Sequence, residues 1–167
     1  MIWWALLIGA LVVIYTQSDA VRRYSVSLTA IAKGINNTPT DPDIIARLEW
    51  MATQEPAILS VLREADPLAH LTSAYRCPEL NAAVGGLASS RHMVGLALDF
   101  GGLADEVAAA TRLRANAARL PPSLHFVYAE LTHIHAEFHD PLRKIDPNPD
   151  ATRYSEQTPG GSSVSLG

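Results

Sequence analysis

The sequence predicts a small α+β domain, and three observations carry that reading. A helix start is written into Asp41-Pro42-Asp43, an Ala- and Arg-rich stretch runs over 103–120 up to Pro121-Pro122, and Leu124–Phe138 alternates like strand. A length of 167 residues fits one domain with one modest core. Thirteen Lys and Arg against 17 Asp and Glu give a net charge of −4, with a sequence pI near 5.8. That balance excludes the broad basic footprint of a nucleic-acid binder. The single cysteine, Cys77, excludes an intramolecular disulfide framework and any multi-cysteine zinc site.

The elements follow in chain order. Residues 1–18 carry no charged side chain, and in Met1–Tyr15 only Gly9 is not apolar. As a helix this stretch spans about 27 Å, close to a bilayer core, and Trp3 and Trp4 suit an interfacial belt. Residues 1–20 therefore read as a transmembrane anchor or as a signal segment, since Ser18-Asp19-Ala20 has small residues where signal peptidase inspects. Arg22 and Arg23 follow the segment and no basic residue precedes it, which by the positive-inside rule votes for a cytoplasmic domain. Residues 21–33 read as a linker, 34–140 as the folded domain and 141–167 as a disordered tail rich in Pro, Gly and Ser.

Within the domain, Asp41 caps a helix running to about Thr53, with Ile44, Ile45, Leu48 and Met51 at helical spacing. A second helix opens near Pro56 and stops at Asp66-Pro67. Leu71–Tyr75 is a strand, Pro78–Val84 a short helix closed by Gly85-Gly86, and Leu98–Phe100 a strand ending at Gly101-Gly102. The clearest helix is 103–120. In Leu124–Phe138, one or two strands, His133, His135 and Glu137 share one face while Ile134, Ala136 and Phe138 share the other.

The chemistry concentrates in two places. Ser90–Asp99 offers His92 and Asp99 seven residues apart, with Gly95 between them to permit a tight bend. Further on comes His133-Ile134-His135. Two imidazoles and one carboxylate form the ligand set of an open, catalytic zinc site, although a His-x-His strand is as often a solvated face. The remaining features read plainly: His70, His125 and His139 as polar edge residues, Cys77 as structural, and Trp50 as core.

The segment Ser90-x-His92-x-x-Gly95-x-Ala97-x-Asp99 resembles the SxHxxGxAxD signature of the zinc D-alanyl-D-alanine carboxypeptidase family. Thr72–Asn81 with Val84-Gly85-Gly86 is similar to that family's TSGYRSPELN…VGG segment, and Gly34–Pro39 to the opening segment of its phage-type members. The resemblance covers roughly residues 24–139. It implies the hedgehog/DD-peptidase-like fold, a small antiparallel sheet with flanking helices, preceded here by the N-terminal hydrophobic helix. It implies Zn2+ held by His92, Asp99 and His135, with Arg76 and Ser90 contacting substrate.

The same resemblance leaves the general base open. Relatives place an acid three or six positions before the last zinc histidine, whereas position 132 is Thr and the nearest upstream acid is Glu130. Either Glu130 reaches the site from its offset position with His135 as ligand and His133 steadying charge, or His133 is the ligand and Glu130-x-x-His133 the motif. The implied reaction is hydrolysis of an amide in a peptidoglycan stem peptide, D-Ala-D-Ala carboxypeptidase activity before L-Ala-D-Glu endopeptidase activity. A zinc-containing binding or structural protein of the same fold is the non-catalytic alternative. No nucleic-acid partner is expected. A wall substrate implies an exported domain, or one tethered to the membrane by residues 1–20, facing the periplasm or cell wall, against the vote of Arg22 and Arg23.

Overall fold

The computed structural model describes residues 18–144 and 163–165. Two short helices come first, α1 (Asp19–Ser25) and α2 (Leu28–Lys33). They occupy the stretch expected to be linker. Ser18 and Ser27 cap them by accepting from Val21 N and Ala30 N, and Gly34, at φ 67°, closes α2 in the left-handed region. Six or seven residues are too few to show helical periodicity in sequence, yet Val21 and Tyr24 are fully buried in the core. Of residues 1–20, read as an anchor or signal segment, 1–17 lie outside the described residues, while Ser18 caps α1 and Asp19 and Ala20 are its first two residues. Among the described residues no helix is long and apolar enough to cross a membrane.

The next helix, α3 (Pro42–Arg63), is one element where two were expected. Asp41 accepts from Asp43 N, and Pro42 stands at the first helical position, where its missing N–H costs nothing. Pro56 removes one internal hydrogen bond without ending the helix. Burial on both sides of it holds the two halves in line: Leu48 and Met51 before, Ile58, Leu59, Val61 and Leu62 after. Glu55, also buried, accepts from Tyr24 Oη and from Arg23 Nη2 at 2.6 Å, fastening α1 across the proline.

Strand β1 (His70–Ser73) leads to α4 (Pro78–Ala83), a 3-10 turn at Arg91–Val94, strand β2 (Ala97–Gly101) and helix α5 (Glu106–Ala115). The helix expected over 103–120 is shorter because Asp105 caps it by accepting from Ala108 N, and a separate 3-10 turn follows at Ala117–Arg119. Leu124–Phe138 forms two strands, β3 (Leu124–Ala129) and β4 (Ile134–Phe138). A last short strand, β5 (Ser163–Ser165), pairs with β3 inside the region read as disordered tail. The sheet is antiparallel throughout, in the order β1-β2-β4-β3-β5.

Strand alternation divides the sheet into two faces. Leu98, Phe100, Val127, Ala129, Ile134, Ala136 and Phe138 join one core with α3 and α5. Trp50 of α3 meets Phe138 edge-on, ring centroids 5.9 Å apart. The molecule is thus an α+β domain with its helical core on one face. The opposite face carries Asp99, Tyr128, His135 and Glu137.

Candidate metal centre

Register assembles the site. Ser73 lies opposite Asp99, Asp99 opposite His135, and His135 opposite Tyr128, so four strands place these residues in a single cross-strand row. Neighbours in such a row have Cβ atoms about 5 Å apart, close enough for their polar atoms to meet. His135 Nδ1 lies 2.8 Å from Asp99 Oδ1, and the Tyr128 ring packs against His135 at 4.7 Å between centroids.

His92 enters from outside the sheet, on the 3-10 turn. Gly95 ends that turn at φ 72°, where a side chain is strained, and a Cβ there would press to 3.3 Å from Leu48 Cδ2 on α3. The turn brings His92 Nε2 to 3.0 Å from Asp99 Oδ1 and 3.2 Å from His135 Nδ1. His92, Asp99 and His135 are all buried, and one donor atom from each lies within 4.8 Å of the others.

The second nitrogen of each imidazole is already committed. His92 Nδ1 donates to Ala74 O, and His135 Nε2 donates to Glu137 Oε1 at 3.1 Å. These bonds orient the rings so that Nε2 of His92 and Nδ1 of His135 face Asp99, the arrangement by which a carboxylate or carbonyl orients a metal-binding histidine. Two nitrogens and one carboxylate oxygen gathered in this way suit zinc in number and kind of donor.

The electrostatics are those of a tight polar cluster in a buried place. Burial lowers the His92 pKa, and the attraction of Asp99 only partly offsets it. Burial also opposes the charge on Asp99, but the two facing imidazoles prevail and hold its carboxyl well below the usual range. For His135 burial is again adverse, yet its bonds to Asp99 and Glu137 raise its pKa to about 9.

Around the triad opens a cleft of about 500 Å3 that collects every residue given a metal-binding, catalytic or substrate-binding role from the sequence. Arg76 is there, but its guanidinium is engaged: Nη2 donates to Asp99 Oδ2, and Nε to Ser73 Oγ at 2.9 Å. Ser90 lines the cleft at the foot of the 3-10 turn. Glu130 and His133 face each other across the β3–β4 hairpin, where Glu130 N donates to His133 O at 2.8 Å. Glu130 Oε2 lies 3.3 Å from His133 Nε2, which in turn is 3.7 Å from Asp99 Oδ1. Thr132, standing where an acid was expected, places Oγ1 3.3 Å from His133 Nδ1.

Three participants escaped the sequence reading. Glu137 was placed on the histidine face without a role. Tyr128 becomes a neighbour of His135 only through the hairpin register, which no local pattern reveals. Asn37 is the third: its side-chain amide donates to Ser25 O and Tyr75 O, and its carbonyl accepts from Cys77 N at 2.7 Å. It thereby clamps the segment that carries Arg76. Cys77 is structural as expected, capping α4 by accepting from Leu80 N.

Comparison with curated proteins and comparison with solved structures each return no match. A family model, Peptidase M15, matches residues 22–137. The matched span begins in α1 and ends in β4, enclosing the His92–Asp99–His135 cluster, the Arg76 segment and the hairpin of Glu130 and His133. Because that span is well over half of the chain and contains the whole site, the protein belongs to the peptidase M15 family.

Proposed function

We propose that the protein is a zinc metallopeptidase that hydrolyses an amide bond in peptidoglycan stem peptides, with D-Ala-D-Ala carboxypeptidase as its activity. The reading rests above all on the buried His92–Asp99–His135 cluster, whose imidazole rings are oriented from behind by Ala74 O and Glu137. His92, Asp99 and His135 would hold the metal. Zinc supplies Lewis acidity there, lowering the pKa of the attacking water to about 7 and polarising the scissile carbonyl.

The rest of the chemistry falls to the chain. Glu130, half-exposed at the rim of the cleft, accepts the proton of the attacking water and returns it to the leaving amine. His133, between Glu130 and Asp99, donates to the oxygen that gains charge as the carbonyl becomes tetrahedral. Arg76 keeps Asp99 oriented and presents its remaining donors to a substrate carboxylate, a task that suits a planar guanidinium. Ser90 offers a hydroxyl on the same wall. The uncharged stretch ahead of α1 would export or tether the domain, since this substrate lies outside the cytoplasmic membrane.

The test is digestion of purified muropeptides by the zinc-loaded protein, with products read by mass spectrometry. Release of D-Ala is the expected result, and Glu130→Gln is expected to lower turnover at least about 100-fold while zinc content is retained. Release of a peptide that begins with D-Glu, leaving L-Ala on the sugar, would move the activity to the L-Ala-D-Glu endopeptidase class. A zinc-loaded protein that cleaves no stem peptide would be a binding or structural member of the fold.

A further inference from the structure

The cleft does not end at the triad. Ser27, Thr29, Thr72 and Ser73 line it and also line a second hollow of about 430 Å3, so the two cavities adjoin. The second hollow runs along β1, with Leu71–Ala74 on one side and residues 26–29, the corner between α1 and α2, on the other. Strand β1 is the outer strand of the sheet and pairs with β2 alone among the described strands. An outer strand is where an extended peptide adds most readily.

The charge of this hollow is one-sided. Arg23, Arg63 and His70 line it, and none of the lining residues is acidic. Arg23 already shares a bond with Glu55. Arg63 spends only Nε, on Ala69 O at 2.9 Å, which leaves the two terminal nitrogens of its guanidinium without a partner among the described residues. Exposed Val26 and Leu28 supply apolar surface alongside. A free guanidinium fork, an open strand edge and small apolar contacts are together the complement of an extended, carboxylate-bearing peptide.

We propose that this hollow is a second substrate subsite, in which Arg63 takes a carboxylate of the peptide whose scissile amide lies over the triad. The identification of the peptide as a peptidoglycan stem rests on the function proposed above; the preference for an acidic segment rests on the hollow alone. Specificity then has two parts. The triad and the hairpin choose the bond, and Arg63 selects peptides that carry a free carboxylate away from it.

The experiment measures binding apart from hydrolysis. The zinc-loaded full chain carrying Glu130→Gln is titrated with the fluorescein-labelled pentapeptide L-Ala-γ-D-Glu-L-Lys-D-Ala-D-Ala. A second titration uses the same peptide with its D-Glu carboxylate amidated. The acidic peptide is expected to bind about tenfold tighter, the worth of one charge-assisted hydrogen bond, and the advantage to shrink in high salt. Arg63→Gln is expected to erase the difference and Arg63→Lys to restore part of it. Equal affinity for the two peptides overturns the subsite, and that comparison needs no substitution at Arg63. Discrimination that survives Arg63→Gln overturns it as well. If discrimination depends on Arg63 while the unsubstituted enzyme releases no product, the subsite stands and the hydrolase reading falls. If product is released but both peptides bind alike, the reverse holds.

Discussion

Glu137 shows how much of a candidate metal site can lie behind the residues that would hold the ion. The residue is buried, and its Oε1 accepts from His135 Nε2. Without that bond the His135 ring is free to present either nitrogen and to rotate in its slot, so the donor facing Asp99 is no longer prescribed. Glu137→Ala is expected to weaken zinc binding by about 10- to 100-fold, read by competition with a chromophoric chelator. Glu137→Gln keeps an acceptor and is expected to fall between. Unchanged affinity in both variants would remove the carboxylate from the site. The His133-x-His135-x-Glu137 alternation made the shared face legible in the sequence. What alternation does not tell is which neighbour a buried carboxylate serves, because that depends on rotamer and depth.

At the scale of the element, the 3-10 turn over Arg91–Val94 is the piece on which the site depends most. It delivers His92 to a row of residues that the sheet has already aligned, and it does so only because Gly95 adopts φ 72° against α3. Gly95→Ala imposes left-handed backbone strain on a residue with a Cβ and presses that Cβ toward Leu48. A loss of about 1–3 kcal/mol is expected, seen as a lowered Tm together with weaker zinc binding. A variant of unchanged Tm would mean that the turn can be built another way. Sequence reasoning found this bend because a glycine between two candidate ligands has few other uses. By caps, breakers and alternation it found the start of α3, strand β2, the short helix α4 and strand character over 124–138, without deciding between one strand and two. It missed α1 and α2, whose capping serines stand out only once Val21 and Tyr24 are seen in the core, and it split α3 because a proline was weighed above the burial on either side. The turn between β3 and β4 is where spacing alone left alternatives open. Counting residues back from His135 makes Glu130 look displaced, but a turn that bonds Glu130 N to His133 O faces their side chains across the bend.

For the molecule as a whole, the helical layer and the sheet are held in register by more than apolar packing. Arg47 on α3 reaches Asp140, just beyond β4, through Nε at 2.9 Å and Nη2 at 3.1 Å, and both side chains are almost fully buried. Asp140 also accepts from Leu142 N and Lys144 N, which turns the chain away from the sheet. Burial works against the Asp140 charge, but the guanidinium and the two backbone donors overcome it and lower its pKa to about 2. An unfolded aspartate titrates near 3.9. The carboxylate is therefore favoured by folding, and its contribution is complete above the unfolded value and lost as pH falls through the folded one. The linkage amounts to about 2 kcal/mol. Urea denaturation of the wild type is expected to lose that increment between about pH 5 and pH 2. Asp140→Asn is expected to be less stable at pH 6 by a similar amount and to converge with the wild type near pH 2. Parallel stability curves for the two proteins across that range would show that the α3–β4 junction is held by packing alone. In that event the row of Asp99 on β2 and His135 on β4, on the other face of the sheet, would owe its alignment to strand register and packing and not to the clasp.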